Sequence, residues 1–463
     1  MSAPRVTAGL LALLCGLHSA ARAQEGPYEN FIVGRRALGL GGAYVAVADD
    51  PGAIFHNPGG LASVTSSSAS GSLLTIVRGS RTVKGGYRTD LGRSDLTGSA
   101  SLEIPSFISG LVKFGRAQSD GVRTHAIGAA IFAPHRDEYR FVAQLRDPEG
   151  VDRLEVRHDD HARWYGIAYA LRVQPGLSFG LSTFLAQRSY SHDEVELNAR
   201  TDEPADSTVG SSHGRASTLD IDAYHLIPRF GVYLDLTREL RAGVMIQPPG
   251  VKVWESIDAE RVDISVGPGP TRIDTTDAAE LSSNLPVPWE TRFGVTWFER
   301  PVTLVTLDVS IFGPAGDASD PLPLVENAPA EIGVFVPAHN YRRLTVRAAL
   351  GFETEIGGVM PINGGIFYER SSAPEVLSTS EVYVRDQLDT FGGAMSLDAS
   401  VGDYELTFGL TGRMSSGEGL AYVRGSQAPP RFRATDVENA SLVFFVGGAS
   451  TVVRRLVKTL ISD

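Results

Sequence analysis

From about residue 66 onward, apolar side chains of this chain return at every second position. Between 403 and 412, Tyr404, Leu406, Phe408 and Leu410 alternate with Glu405, Thr407, Gly409 and Thr411. Between 303 and 311, Val305, Leu307, Val309 and Ile311 face Leu304, Thr306, Asp308 and Ser310 across the strand. Phe293, Val295 and Trp297 oppose Arg292, Gly294 and Thr296; Phe230, Val232, Leu234 and Leu236 oppose Arg229, Gly231, Tyr233 and Asp235. A period of two specifies strands with one apolar face and one polar or small face. The segments 71–77, 107–114, 125–132, 162–173, 177–187, 240–246, 331–336, 344–352, 364–368, 390–397 and 442–446 extend the pattern. Several reach the ~9–11 residues that a tilted membrane strand needs.

The polar faces decide what such strands can enclose. Arginines and acids recur on them, and a dry core between two sheets would charge heavily for burying those groups. A wet or partly plugged lumen accommodates them. The chain has 463 residues, of which 42% are hydrophobic and 21% charged, with a mean hydropathy of -0.04. A barrel with apolar residues outward and polar residues inward averages to near neutrality in this way. The connections at Gln174-Pro175-Gly176 and Arg238-Glu239 are tight, whereas 193–215 and 256–283 read as long polar loops. Short turns at one rim and long loops at the other suit an outer-membrane barrel. The net charge of -12, without a basic stretch, argues against nucleic-acid binding.

The N-terminus reads as an export signal over 1–23. Arg5 supplies the positive start, 6–17 the apolar core, and Ala21-Arg22-Ala23 the small-x-small cleavage site. The single cysteine, Cys15, lies inside that segment. Leu14 before it is too large for a lipoprotein signal. A cleaved chain would have neither a disulfide framework nor thiolate metal sites. No later run of ~18 uncharged apolar residues offers a spanning helix. An exported chain of this kind is soluble or a β-barrel.

The stretch 34–61, GRRALGLGGAYVAVADDPGAIFHNPGGL, breaks the strand rhythm and reads as a compact irregular plug. It resembles the start of the FadL/TodX family of outer-membrane transport proteins, in the glycine-rich run Leu38-Gly39-Leu40-Gly41-Gly42-Ala43, the acidic step Ala48-Asp49-Asp50 and the turn Asn57-Pro58-Gly59. Gly59 stands where the family usually has alanine. Ile127-Gly128 to Pro134 is similar to an early strand of the family ending in proline, although His135-Arg136 departs from the common Phe-Gly. The segments 285–298, 363–374 and 389–413 resemble later strands.

The resemblance implies an all-β fold, a transmembrane antiparallel barrel of fourteen strands with an N-terminal hatch in its lumen. The divisions are then 24–64 for the hatch, 65–450 for the barrel and 451–463 for a C-terminal tail. It implies passive uptake of long-chain fatty acids or aromatic hydrocarbons, without catalysis, cofactor or metal. Ligand would enter from outside, reach a site beside the hatch, and leave sideways near a kinked early strand. Gly39, Gly41, Gly42, Asp49, Asp50, Asn57 and Pro58 mark the hatch by resemblance, and Gly128 or Pro134 the kink. The implied partners are a hydrophobic small molecule, outer-membrane lipid and lipopolysaccharide, and the barrel-assembly machinery, for a monomer in the bacterial outer membrane. A similar plug signature occurs in PorV-like barrels that serve protein secretion, which is the alternative reading. The tail 451–463 places Val452, Val453, Leu456 and Leu460 on one helical face, as an amphipathic segment or a continued strand.

Other motifs carry less. Gly176-Leu177-Ser178-Phe179-Gly180 spells a nucleophile elbow, but Ser178 sits in strand alternation on both sides rather than at a strand–helix turn. Gly39-Leu40-Gly41-Gly42 lacks the spacing and preceding strand of a dinucleotide loop. His158-Asp159-Asp160-His161 reads as a solvated loop or rim, because consecutive strand residues could not converge on one cation. Asp49-Asp50 is expected to cap a turn or meet an arginine of the wall. Trp164, Tyr165 and Tyr169 are expected in an interfacial aromatic girdle.

Overall fold

In the computed structural model, residues 31–450 are described apart from 104–105, 202–209, 279, 301–302, 318, 329–331, 358–359, 403 and 426–430. The expected export segment 1–23 with Cys15, the expected hatch residues 24–30 and the expected tail 451–463 lie outside the described residues.

The strands close into a fourteen-stranded antiparallel barrel. The wall runs β1 (Ser68–Thr89), β2 (Phe107–Ala117), β3 (Arg123–Asp147), β4 (Gly150–Gln174), β5 (Leu177–Arg200), β6 (Ser211–Asp235) and β7 (Leu240–Gln247). It continues through β8 (Glu290–Arg300), β9 (Thr303–Phe312), β10 (Thr345–Ile356), β11 (Met360–Glu369), β12 (Gln387–Val401), β13 (Tyr404–Val423) and β14 (Arg431–Ser450). Each strand pairs with the next, and β14 closes the circuit on β1, with Ile76 opposite Phe444 and Thr82 opposite Glu438. Closure pairs each wall strand with its neighbours and so removes the open edges that a spanning sheet would otherwise expose to lipid, apart from the interruption beside Gly92–Glu103.

The two-residue period becomes inside and outside. Phe230, Phe293, Val295, Trp297, Val305 and Leu307 are exposed on the outer face, while Arg229, Arg292, Thr296 and Asp308 are buried inward. Exposed Ile167, Phe179, Leu181, Phe352, Ile366, Met395, Phe408 and Phe444 carry the apolar belt onto the other strands. A soluble monomer rarely shows so continuous an apolar surface, whereas a bilayer requires it.

Several expectations need correction. The supposed loops 193–215 and 256–283 are largely strand: β5 runs to Arg200, β6 starts at Ser211, and Val251–Val266 pairs with β6 above the wall. Strands β3 to β6 have 24 or 25 residues, far more than the ~9–11 that cross a bilayer. Their distal halves project beyond it, where polar residues can face solvent on the outer side and still form ladders. The His158–His161 run lies in β4, not in a loop. Alternation splits it: buried Asp160 accepts from Arg188, while Asp159 pairs outward with Arg136 and His161. Trp164 is inward and buried, because β4 turns even-numbered side chains at this level to the lumen; Tyr165 and Tyr169 are on the exposed face. The strand expected to end at Pro134 continues to Asp147.

Candidate functional site: the plugged lumen

Residues 31–64 fill the lumen near the rim that carries the tight turns 175–176 and 236–239. The segment forms a helix at Arg35–Gly39, a second at Ala53–His56, and a 3-10 turn at Pro58–Ala62. None is long enough to stand alone, so contacts with the wall must hold them. Gly41 and Gly42, with φ of 65° and 90°, make the reversal after the first helix, a conformation costly for other residues.

Polar side chains grip the segment from around the wall. On one side the Arg35 guanidinium donates to Asp398 (3.0 Å), Thr407 (2.8 Å) and Glu405 (2.7 Å) of β12 and β13. Arg36 makes a bidentate pair with Glu353 of β10, at 2.7 and 2.9 Å. One oxygen of Asp308 on β9 accepts from the consecutive Tyr44 and Val45 N–H groups, at 2.6 and 2.7 Å. Across the lumen, Ser178 of β5 donates to the Gly59 carbonyl (2.8 Å), and Lys113 of β2 to that of Ala62. Ser178 is thus a buried strut in a strand. Buried polar groups need such partners, and here the inserted segment supplies them.

A second feature lets the segment's backbone come close. Three cross-strand glycine pairs face inward: Gly180 with Gly231, Gly243 with Gly294, and Gly351 with Gly365. A Cβ on Gly180 would lie 2.2 Å from the Pro58 carbonyl carbon, one on Gly243 2.4 Å from the Val45 oxygen, and one on Gly365 2.3 Å from the Leu40 oxygen. Each pair is a seat for one stretch of the segment. The sequence signal was present, as glycine at polar-face positions of consecutive strands, but alternation alone does not say what a missing side chain admits.

At the centre, Phe55 packs edge-on to Phe132 (5.2 Å) and against Trp164 (5.5 Å). The fully buried Arg229 guanidinium lies 4.2 Å over the Phe55 ring and donates to the Phe55 carbonyl (2.6 Å), Gln247 (2.7 Å) and Glu290 (3.2 Å). Sequence reasoning placed Arg229 on a polar face but missed this role.

The residues singled out by resemblance fall as follows. Gly39 ends the first helix, its α-carbon facing Ser396 and Asn363. Asp49 pairs with Arg36 of its own segment rather than with a wall arginine, and Asp50 accepts from Gly52 N (2.7 Å), capping a turn. Asn57 donates to the Val45 and Val232 carbonyls (2.9 and 3.0 Å) and accepts from Gly59 N (3.1 Å), so one amide joins two parts of the segment to β6. Pro58 opens the 3-10 turn over the Gly180 seat. Asn57→Ala is expected to destabilise the protein by about 2–3 kcal/mol, because it orphans buried partners; thermal unfolding in detergent measures this.

Gly128 and Pro134 differ. The β3 ladders are regular through Gly128, whose inward face meets Ile54. The register with β4 shifts between Phe132 and His135, the interval containing Pro134, whose carbonyl accepts from Phe31 N (2.9 Å). The same region interrupts the neighbouring wall. Gly92–Glu103 pairs with the distal half of β1 and β2 with its start, and among the described residues no backbone ladder joins Gly92–Glu103 to β3.

On the far side of the plug, a cavity of about 400 Å³ lies among Leu324, Val325, Val334, Val336, Tyr383 and Phe432. Among the described residues no group of three or more histidines, cysteines or acids could hold a metal ion.

No protein-family model and no curated protein matches this sequence. Solved structures do match in three dimensions. A FadL homologue of Pseudomonas aeruginosa superposes with a TM-score of 0.58 at 11% identity, over 93% of this chain and 100% of its own. The chain has the FadL-type barrel fold. Two further FadL-type neighbours are the Ralstonia pickettii toluene transporter TbuX (TM-score 0.56, 14% identity, 90% of this chain and 98% of that one) and the monoaromatic hydrocarbon channel CymD (0.54, 14%, 91% and 98%). At such low identity the likeness is one of fold.

Proposed function

We propose that this barrel is a bacterial outer-membrane channel for passive uptake of hydrophobic small molecules, either long-chain fatty acids or aromatic hydrocarbons. The observation that carries the reading is a lumen stoppered by the chain's own N-terminal segment, with a cavity of about 400 Å³ beyond the stopper whose lining is mostly apolar, with Arg215 and Glu381 also on it. That volume is within the range of small-ligand sites. Crossing a polar outer leaflet and then emptying into the bilayer spares an apolar solute the cost of full hydration. The toluene transporter and the monoaromatic hydrocarbon channel among the structural neighbours support the same class of cargo.

In this reading 24–64 is a hatch, and its rearrangement opens the path. The exit is sideways, at the wall interruption beside Pro134, where the Phe31–Pro134 hydrogen bond links hatch position to the wall. Export with cleavage after Ala23, insertion by the barrel-assembly machinery, lipopolysaccharide around the exposed belt and a monomeric state belong to the same proposal.

Deletion of the gene is expected to reduce uptake of labelled oleate or of toluene, with recovery on complementation. Unchanged uptake of both, in a strain with no other importer, removes the transport reading. Stoichiometric secretion subunits on mild-detergent purification would favour the PorV-like alternative instead.

A further inference from the structure

A second segment is inserted into the barrel, from the opposite end to the hatch. Residues 332–337, Ile-Gly-Val-Phe-Val-Pro, belong to the connection between β9 and β10, yet Ile332, Val334, Phe335 and Val336 are all buried. Val334 and Phe335 join one apolar cluster with Tyr139, Phe141, Leu154 and Tyr422. Ile332 and Val336 join a second, with Leu219, Ile221, Leu285 and Leu324. The segment therefore bridges two sides of the distal lumen. Phe335 sits edge-on to Tyr383, at 5.3 Å. Val334 and Val336 also line the 400 Å³ cavity, so the segment forms part of its wall.

One wall residue fastens it. Glu194 of β5 is buried, and its Oε2 accepts from the consecutive Val334 and Phe335 N–H groups, at 2.9 and 3.1 Å. Asp308 holds Tyr44 and Val45 of the hatch in the same manner. In both, a carboxylate meets a small concavity of successive N–H groups, and the other oxygen is buried without a hydrogen bond. The grip fixes position, but it is made through one atom. Backbone hydrogen bonds of Ala338 to Tyr383 and Leu324 anchor its C-terminal end, while the side chains of Ile332, Val334, Phe335 and Val336 are held by non-directional apolar contact, which an apolar molecule can replace. The device suits a part that must leave as a unit and return.

We propose that residues 332–337 form a gate across the distal lumen, that Glu194 is the positioning residue that keeps it closed, and that a hydrophobic molecule in the cavity displaces it to reach the hatch. This rests on the transport reading and adds a second barrier in series with the hatch.

The test uses the full chain in lipid vesicles. Its only native cysteine, Cys15, lies in the N-terminal export segment, so introduced thiols report alone once that residue is replaced or removed. With Val336→Cys as reporter, Glu194→Ala is expected to speed maleimide labelling at least about tenfold, and Glu194→Gln, which retains an acceptor oxygen, by less. A Cβ built on Gly333 lies 3.5 Å from the His192 imidazole, so the two positions adjoin and thiols placed on them can meet. The pair His192→Cys with Gly333→Cys is therefore expected to lock the gate when oxidised, stopping passage of labelled oleate and toluene, and to restore it on reduction. Equal labelling with and without Glu194 overturns the latch. Undiminished passage through the oxidised pair overturns the gate. If the unmodified chain carries neither solute, the transport reading fails by itself, while the labelling comparison still judges the latch.

Discussion

Replacing Arg229 with methionine is expected to cost the folded protein about 3–5 kcal/mol and to loosen the hatch before the wall. The guanidinium is completely buried and is partnered by the Phe55 carbonyl, Gln247 and Glu290. Methionine fills much of the volume, but it leaves the carbonyl and amide without the donors Arg229 supplied and Glu290 with Arg292. It also removes the cation from over Phe55 and Trp164, at 4.2 and 4.8 Å, contacts that are strongest where water is excluded. Arg229→Lys should recover only part of the loss, since an ammonium cannot reproduce a planar fork. The barrel ladder does not depend on this side chain. Protease accessibility of residues 31–64 should therefore rise at a temperature where the wall still resists denaturation on a gel. Simultaneous loss of both, or loss of neither, contradicts this account of Arg229.

The second large effect is expected from Gly365→Val. The new Cβ would stand 2.3 Å from the Leu40 carbonyl carbon and oxygen, and backbone atoms cannot step aside as a side-chain tip can. Valine suits strand geometry, so β11 itself has no reason to unfold. The strain falls on the hatch, which must lift from its seat. With the Gly351–Gly365 seat occupied, the Arg36–Glu353 pair beside it is also expected to open. With the 332–337 gate also released by Glu194→Ala, leakage of a small hydrophilic sugar through vesicles should rise at least about tenfold over Glu194→Ala alone, because a barrel of this size without its plug encloses water. Gly393→Val, on the outer side of the neighbouring strand with no atom within 3.4 Å, is the control in the same background and should add no leakage. No added leakage with Gly365→Val would show that the seat is not needed for closure.

The alternation around Phe293, Val295 and Trp297 was enough to state which side chains would face outward, because a strand turns successive residues to opposite sides whatever surrounds it. It was also enough to put Arg229, Arg292 and Asp308 on the other face, and the signature from Gly39 to Pro58 marked where the strand rhythm had not begun. Local patterns failed where a polar run continued as strand. The stretches 193–200 and 211–215 are long ladders that rise past the membrane, and only pairing with neighbouring strands distinguishes such ladders from loops. Trp164 shows the same limit, since composition suggested a girdle and its parity in β4 put it inside against Phe55.

Residue order along the chain was enough for a set of two-faced strands behind an irregular leader, and hence for a closed wall around a polar interior. The contents of that interior emerged only on folding: the leader seated on three glycine pairs, and residues 332–337 hung from Glu194. The reason is separation along the chain. Alternation is written into adjacent residues, whereas Asn57 meets Val232, Arg35 meets Asp398, and Glu194 meets Val334 only after the circuit has closed; no local periodicity encodes which distant residues a closed wall will bring face to face.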